Sequence, residues 1–377
     1  MKITSVRAVA VRVPVKRPTR ISTRVLDKRD YVLVWVKRED TEEEGIGYIY
    51  AGTSGGAVVA EAVNGMLAPT LLGRPADDIV GAWDAMYQET LLHGRRGAVM
   101  RAISAVDIAL WDLSAKRAGL PLAVLLGGSA ASVPAYASGG YYQPEEGNWA
   151  DAVTREIAGN IESGFTDHKI KVGGLAVTED AARVQAAVKT MEGRGRLAID
   201  ANNAYRTVAE AERALRAFEE AAGDTGLWWY EEPLSPDDVH GHARLRDRSR
   251  TPIATGEIAA SRWEFRDLIE RGAADILQSD AGVMGGVTEF LRVAAAAATF
   301  ALPIAPHWHA NLHAHLSAAI TNCMTVEHFA LEKDIYNFEL LVTPDTRLAV
   351  AEGHVLVPER PGLGFDLQND AVRRFAM

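Results

Sequence analysis

A single cysteine, Cys323, is all that the 377-residue chain contains, which excludes an internal disulfide framework and a cysteine-built metal site. Positive charge is also in short supply. With 40 lysines and arginines against 50 aspartates and glutamates the formal net charge is -10, so the concentrated basic surface of a nucleic-acid-binding protein is missing. No apolar run reaches the ~18 residues of a membrane-spanning helix. The opening MKITSVRAVAVRVPVKRP carries Arg7 and Arg12 where a secretory leader needs an unbroken apolar stretch. No residue-level repeat is visible, which excludes a solenoid. The expectation from these absences is a globular cytoplasmic protein with neither a nucleic-acid nor a membrane partner. At 48% hydrophobic residues the chain can bury the core of one large domain or two ordinary ones.

The first third reads as α+β. Residues 3–15 and 31–37 run apolar or alternate as strands do, and a turn-rich stretch, 45–56, follows them. Residues 99–120 place Ile103, Val106, Ile108, Leu110 and Leu113 at helical spacing, and Gly119-Leu120-Pro121 closes a long buried helix. Leu125-Leu126-Gly127-Gly128 marks a boundary. Beyond it, eight short apolar runs (133–137, 168–172, 197–200, 227–231, 253–255, 276–279, 303–305 and 324–327) alternate with helical segments. Polar residues at the ends of these runs recur 20 to 31 positions apart, the length of a βα unit, which predicts a TIM-like parallel barrel.

In such a barrel the C-terminal strand ends converge on one mouth, so polar residues there are candidates for chemistry. The run Trp228-Trp229-Tyr230-Glu231-Glu232-Pro233 is an apolar strand delivering acid at its tip. Asp200 in AIDANNAY and Glu257 in IATGEIAA occupy the equivalent tips on either side of it. A single carboxylate after an apolar run is commonly a solvated strand end or a helix cap. Three on consecutive strands are another matter, because bare anions cannot share a desolvated mouth. A divalent cation resolves the conflict, and an all-oxygen ligand set favours a hard ion, Mg²⁺ in particular.

Proton-transfer groups surround this predicted metal site. Lys169 and Lys171 alternate with Ile170 and Val172, so both lysines share the inward face of one strand, where a close pair is expected to lower the pKa of one and make it a base near neutrality. The plainer alternative is an edge strand with two solvated lysines. Opposite them, LPIAPHWHANLHAH places His307 at a strand tip, with Asp280 on the preceding tip to orient it and raise its basicity. His309 and His313, four apart, could form a zinc pair, although the HExxH glutamate is absent. Glu327, on the last strand, is a further inward candidate, as a proton source, a hydrogen-bonding partner for a substrate carboxylate, or a surface residue.

The motifs KIK, DANN, YEEP, GE, SDAGVMGG, APH and VEHF stand in the order and approximate spacing of the enolase superfamily, and the chain resembles its mandelate racemase-like subgroup. The likeness runs through nearly the whole chain, including SAVDIALWDLSAKRAGLPL before the barrel. It implies an α+β capping domain over residues 1–128, a modified (β/α)7β barrel over 129–355, and a C-terminal segment, 356–377, packed back on the cap. It implies Mg²⁺ on Asp200, Glu231 and Glu257. Lys171 then looks like one base, tuned by Lys169, and the Asp280–His307 dyad like the base on the opposite face, with Asn202 and Glu327 at substrate-contacting positions. No lysine occurs between Glu257 and His307, where muconate cycloisomerase-like relatives carry their second base.

The implied reaction is abstraction of the proton alpha to a carboxylate. Dehydration of a sugar acid to a 2-keto-3-deoxy acid is the favoured outcome, with racemisation or epimerisation of a 2-hydroxy acid, or cycloisomerisation of an anhydro-sugar acid, as alternatives. The substrate is a small, polyhydroxylated carboxylate, since the candidate lid loops at 19–30 and 48–56 are rich in Arg, Thr, Ser and Tyr. A homo-oligomer is expected. A metal-dependent hydrolase and a noncatalytic sugar-acid binding protein are the readings from other classes.

Overall fold

The computed structural model describes residues 1–129, 131–143 and 148–377. Three antiparallel strands, β1 (Ile3–Arg20), β2 (Val25–Arg38) and β3 (Glu44–Tyr50), form the N-terminal sheet in that order. The turn-rich reading of 45–56 is corrected here, because β3 occupies its first half. Its glycines serve packing. The long helix Gly97–Ala118 lies against β3 so closely that a Cβ on Gly45 would overlap the carbonyl oxygen of Ala109, and one on Gly47 that of Ala105. Both obstacles are backbone atoms, which cannot swing aside. Gly47→Ala is therefore expected to cost about 1–3 kcal/mol of stability, read as a lowered urea midpoint; a wild-type midpoint would mean that the helix does not sit on this strand as described.

The apolar residues expected to bury this helix do so: Ile103, Val106, Ile108, Leu110 and Leu113 are all within 2% of full burial. The two candidate lid loops differ from expectation. Residues 19–30 are mostly the ends of β1 and β2, a hairpin whose turn is confined to 21–24, and 48–50 belong to β3. The hairpin reaches the barrel as a paired element. Arg20 and Tyr142 exchange backbone hydrogen bonds at 2.9 Å, and the Ser22 hydroxyl donates to the carbonyls of Ala201 at 2.5 Å and Asn202 at 3.2 Å.

The second sheet begins with β4 (Ser132–Gly139) and continues in parallel through β5 (His168–Lys171), β6 (Leu197–Asp200), β7 (Tyr230–Glu231), β8 (Ile253–Thr255) and β9 (Ile276–Leu277). The predicted strand at 303–305 shrinks to a one-residue bridge, in which Ile304 pairs with Leu277 on one side and Cys323 on the other. The chain then enters β10 (Val326–His328), which pairs with β4 and closes the ring. This is a (β/α)7β barrel. A short hairpin, β11 (Val350–Ala351) and β12 (His354–Leu356), adds antiparallel to the start of β4.

Alternation along the strands sets which side chains line the interior. Ile170, Ile199, Tyr230 and Ile253 face the outer helices with Val184, Leu215 and Phe218. Their neighbours Ala198, Trp229 and Ala254 fill the barrel with Tyr136, Ile276 and Ala305. Cap and barrel are joined by directed polar contacts. The indoles of Trp83 and Trp111 donate to the Gly285 carbonyl at 2.8 Å and the Thr288 hydroxyl at 2.9 Å; Gly285 N–H donates to the Ser104 hydroxyl at 2.9 Å, and the Thr288 hydroxyl to Asp107 at 2.6 Å. Among the described residues no helix is long and apolar enough to cross a membrane.

Candidate active site

Register carries three of the predicted residues to one level. Lys171 pairs with Asp200, and Asp200 with Glu231, so these last residues of β5, β6 and β7 stand side by side at the mouth. Glu257 lies two residues past the end of β8. One carboxylate oxygen from each of Asp200, Glu231 and Glu257 falls within 4.8 Å of the others. Asp200 and Glu231 are fully buried and Glu257 nearly so, with 11% of its side chain exposed.

The electrostatics of the triad are those of a cluster short of positive charge. Burial pushes the Asp200 carboxyl up, but Lys171, Lys169 and the Asn202 N–H, which donates at 2.8 Å, hold it down at about 2. Glu231 goes the other way. Burial and the Asp200 charge raise its pKa well above the ordinary carboxylate range, against the pull of Lys169. The Trp229 indole donates to one Glu231 oxygen at 2.9 Å, whereas the buried Glu257 Oε2 has no hydrogen-bond partner. Three converging carboxylates, one of them with an orphaned oxygen, are a donor set that fits a hard divalent cation.

Both lysines point inward, which disposes of the solvated edge-strand alternative: Lys169 is 1% exposed and Lys171 4%. Their titration differs from expectation, since neither pKa is lowered. Lys169 Nζ stands 2.6 Å from Glu231 and 2.7 Å from Glu327, and Lys171 Nζ is hydrogen-bonded to Asp200. Burial works against both charges, yet Glu231 and Glu327 raise the Lys169 pKa, and Asp200 raises that of Lys171. Each amine contacts a carboxylate directly, and attraction wins.

On the far side, His307 Nδ1 donates to Asp280 Oδ2 at 2.9 Å, and its Nε2 is 3.7 Å from Glu257. Burial alone would lower the imidazole, but Glu257, the Asp280 bond and Glu327 raise its pKa to about 9. Asp280 caps the short helix Ala281–Met284, accepting from Gly282 N–H at 2.7 Å. Glu327 bridges Lys169 and the Trp308 N–H, which donates at 2.8 Å; burial raises its pKa, but Lys169 and His307 bring it to about 2. Asn202 turns its amide to Asp200 at 3.3 Å and leaves its Oδ1 unpaired.

The zinc alternative finds no geometry. His309 and His313 approach Asp280 at 3.8 and 3.9 Å, and burial drops their pKa values to about 4 and about 3. Among the described residues, the carboxylate triad is the group whose ligand atoms converge, and these histidines are not part of it.

Residues 3–127 match the family described as Mandelate racemase / muconate lactonizing enzyme, N-terminal domain, and residues 152–371 match Enolase C-terminal domain-like. The chain belongs to the mandelate racemase-like branch of the enolase superfamily. Arabinonate dehydratase from Saccharolobus solfataricus is 33% identical to it over 344 residues, 88% of either chain. The 3,6-anhydro-alpha-L-galactonate cycloisomerase from Streptomyces coelicolor is 34% identical over 377 residues, 100% of this chain and 99% of the relative. The crystal structure of L-talarate dehydratase from Polaromonas sp. JS666, complexed with Mg and L-glucarate, is similar with a TM-score of 0.88 at 35% identity, covering 100% of this chain and 97% of that one.

Two features of this enolase-superfamily mouth escaped the sequence reading. Glu232, expected to face away from Glu231, is as buried as Glu231 and is held by Asn203, Thr255 and Gly256. Cap residues also crowd the mandelate racemase-like site: Tyr50 stacks on Trp308 at 5.2 Å, and Arg101 donates to the Tyr50 carbonyl at 2.7 Å. The one signal for Arg101 was a lone cation in the otherwise apolar opening of its helix.

Proposed function

We propose that the protein is a Mg²⁺-dependent acid-sugar dehydratase, which removes the proton alpha to the carboxylate of a polyhydroxylated acid and expels the 3-hydroxyl as water. The observation that carries this reading is a proton-transfer group on each side of one carboxylate triad, Lys171 against Asp200 and the His307–Asp280 pair against Glu257. Asp200, Glu231 and Glu257 would hold the ion. When bound, it supplies positive charge that offsets the triad and lowers the cost of the charge developing on the substrate carboxylate.

Lys171 would take the α proton as a neutral amine, once an ion held on Asp200 replaces the ammonium contact that raises its pKa here, and Lys169, locked between Glu231 and Glu327, fixes the field around it. The electron pair left at C2 forms the C2–C3 double bond as the 3-hydroxyl departs, protonated by the His307 imidazolium that Asp280 orients. The enol product tautomerises to the 2-keto-3-deoxy acid. Asn202 and Glu327 contact the substrate. Residues 1–128 and 356–377 act as the cap and 129–355 as the catalytic barrel, a division supported by Ala376 pairing with Val11 and by Met377 donating to Ala10 at 3.0 Å. The working form is a cytoplasmic homo-oligomer, which sedimentation of the purified protein tests.

Proton NMR in D₂O with Mg²⁺ and a library of sugar acids tests the chemistry. The expected result is loss of an α-proton signal together with a new keto acid. Exchange without elimination would replace the dehydratase by a racemase or epimerase, and ring opening of an anhydro-sugar acid by a cycloisomerase. Binding with no exchange at all would leave a noncatalytic protein.

A further inference from the structure

Lys171 carries its amine on a long flexible stem, so where that amine arrives depends on how firmly the end of β5 is held. At the neighbouring tips a main-chain donor from the preceding strand does the holding: Val172 N–H reaches the Asp200 carbonyl at 2.8 Å, and Ala201 N–H that of Glu231 at 3.0 Å. The same pattern would bring Tyr141 N–H to the Lys171 carbonyl. That bond is not made, because pairing of β4 with β5 stops at Gly139 and Ile170 and the chain turns away at Gly140, φ 66°. Arg183, on the helix Val177–Met191, stands in its place. Its Nη1 donates to the Lys171 carbonyl at 2.6 Å and its Nη2 to the Gly140 carbonyl, so one planar cation spans the ends of both strands.

The guanidinium is itself gripped. One oxygen of Asp180 accepts from Arg183 Nη1 at 2.9 Å and from the Tyr142 hydroxyl at 2.8 Å; the other accepts from Gly173 and Leu175 N–H at 2.7 and 3.3 Å. The Tyr142 hydroxyl also lies 3.4 Å from the Lys171 carbonyl, but its single proton is committed to Asp180, which leaves Arg183 as the donor that carbonyl depends on. Tyr142 cannot swing out of this knot. Its main chain is paired with Arg20 of the cap hairpin, its ring lies 4.3 Å from the Arg183 guanidinium, and a Cβ on Gly174 would overlap that ring. Arg183, Asp180 and Tyr142 are all fully buried. A buried ion pair is a costly way to close two strand ends. What it adds over an apolar filling is a fixed direction for the carbonyls it holds.

We propose that Arg183, held by Asp180 and Tyr142, is a positioning residue for Lys171: it fixes the main chain at the end of β5 and thereby the line along which the amine reaches the substrate α proton. This rests on the reading of Lys171 as the base.

The test is a double-mutant cycle on α-proton exchange in D₂O with the full-length, Mg²⁺-loaded protein. Arg183→Lys keeps a cation beside Asp180 but has no planar edge with which to span both carbonyls. It should lower kcat for exchange by about 10–100-fold while KM stays within about twofold, as misplacement of a reacting group does. In a Lys171→Ala background the same substitution should cost less than about twofold, because the group it positions is gone. Tyr142→Phe removes a single hydroxyl and is expected to slow exchange by about 2–10-fold, again only where Lys171 is present. An equal cost of Arg183→Lys in both backgrounds, or no cost in either, overturns the proposal and leaves Lys171 as the base. Wild-type exchange in Lys171→Ala alone would remove the base and the proposal together.

Discussion

Alanine in place of Lys171 should slow exchange of the substrate α proton by about 10²–10⁴-fold, the contribution of a positioned general base. The effect should be specific to one configuration at C2. Lys171 approaches the triad from the Asp200 side and His307 from the Glu257 side, so the two groups address opposite faces of whatever lies between. His307→Asn should accordingly leave Lys171-dependent exchange measurable while abolishing elimination, since no imidazolium remains to protonate the departing hydroxyl. Single-turnover NMR on both C2 epimers separates the two. If either variant loses exchange at both configurations equally, the two-sided arrangement is wrong.

The second large effect concerns the metal. Glu231→Gln removes one of the three triad charges and breaks the 2.6 Å pair with Lys169, and is expected to weaken Mg²⁺ binding by about 100-fold or more. Glu232→Gln should weaken it by only about 10-fold, as a supporting residue does. Sequence adjacency makes the comparison sharp. Glu232 lies just past the end of β7, and its left-handed backbone, φ 43°, and its partners Asn203, Thr255 and Gly256 hold it apart from the metal-facing Glu231. Calorimetric titration with Mg²⁺ reads both. Equal losses would assign the ligand to the wrong glutamate.

The residues that converge were legible in the sequence because a barrel turns a one-dimensional regularity into a shared location. Asp200, Glu231 and Glu257 each follow an apolar run, and parallel register does the rest. Strand lengths were less visible. The run at 227–231 is strand only at Tyr230–Glu231, and that at 303–305 only at Ile304, because hydrophobicity reports burial on both faces and not the extent of ladder pairing. The cap read worst. Glycines at 45 and 47 looked like turns when they were relief for a neighbouring helix, and nothing local distinguishes the two uses. Proton affinities were the hardest of all. The spacing Lys169-Ile170-Lys171 shows that two amines share a face, but not that Glu231, Glu327 and Asp200, drawn from three other strands, pair with them.

The joint between cap and barrel bears on how such proteins diversify. Gly286, at φ 85°, receives the Asp107 carboxylate where a side chain would stand, and Gly285 before it supplies the carbonyl and N–H that Trp83 and Ser104 bind. The helix Ala281–Met284, capped by Asp280, leads directly into this joint. The N-terminal domain is thus keyed to the same short segment that carries Asp280, the hydrogen-bond partner of His307. A cap transplanted from a relative would seat only where Gly285-Gly286 and its three cap partners, Trp83, Ser104 and Asp107, travel together; elsewhere the graft would arrive with its polar keys facing the wrong lock and shift Asp280 in seating itself. Modularity in this fold therefore has a seam, and it runs through the dyad.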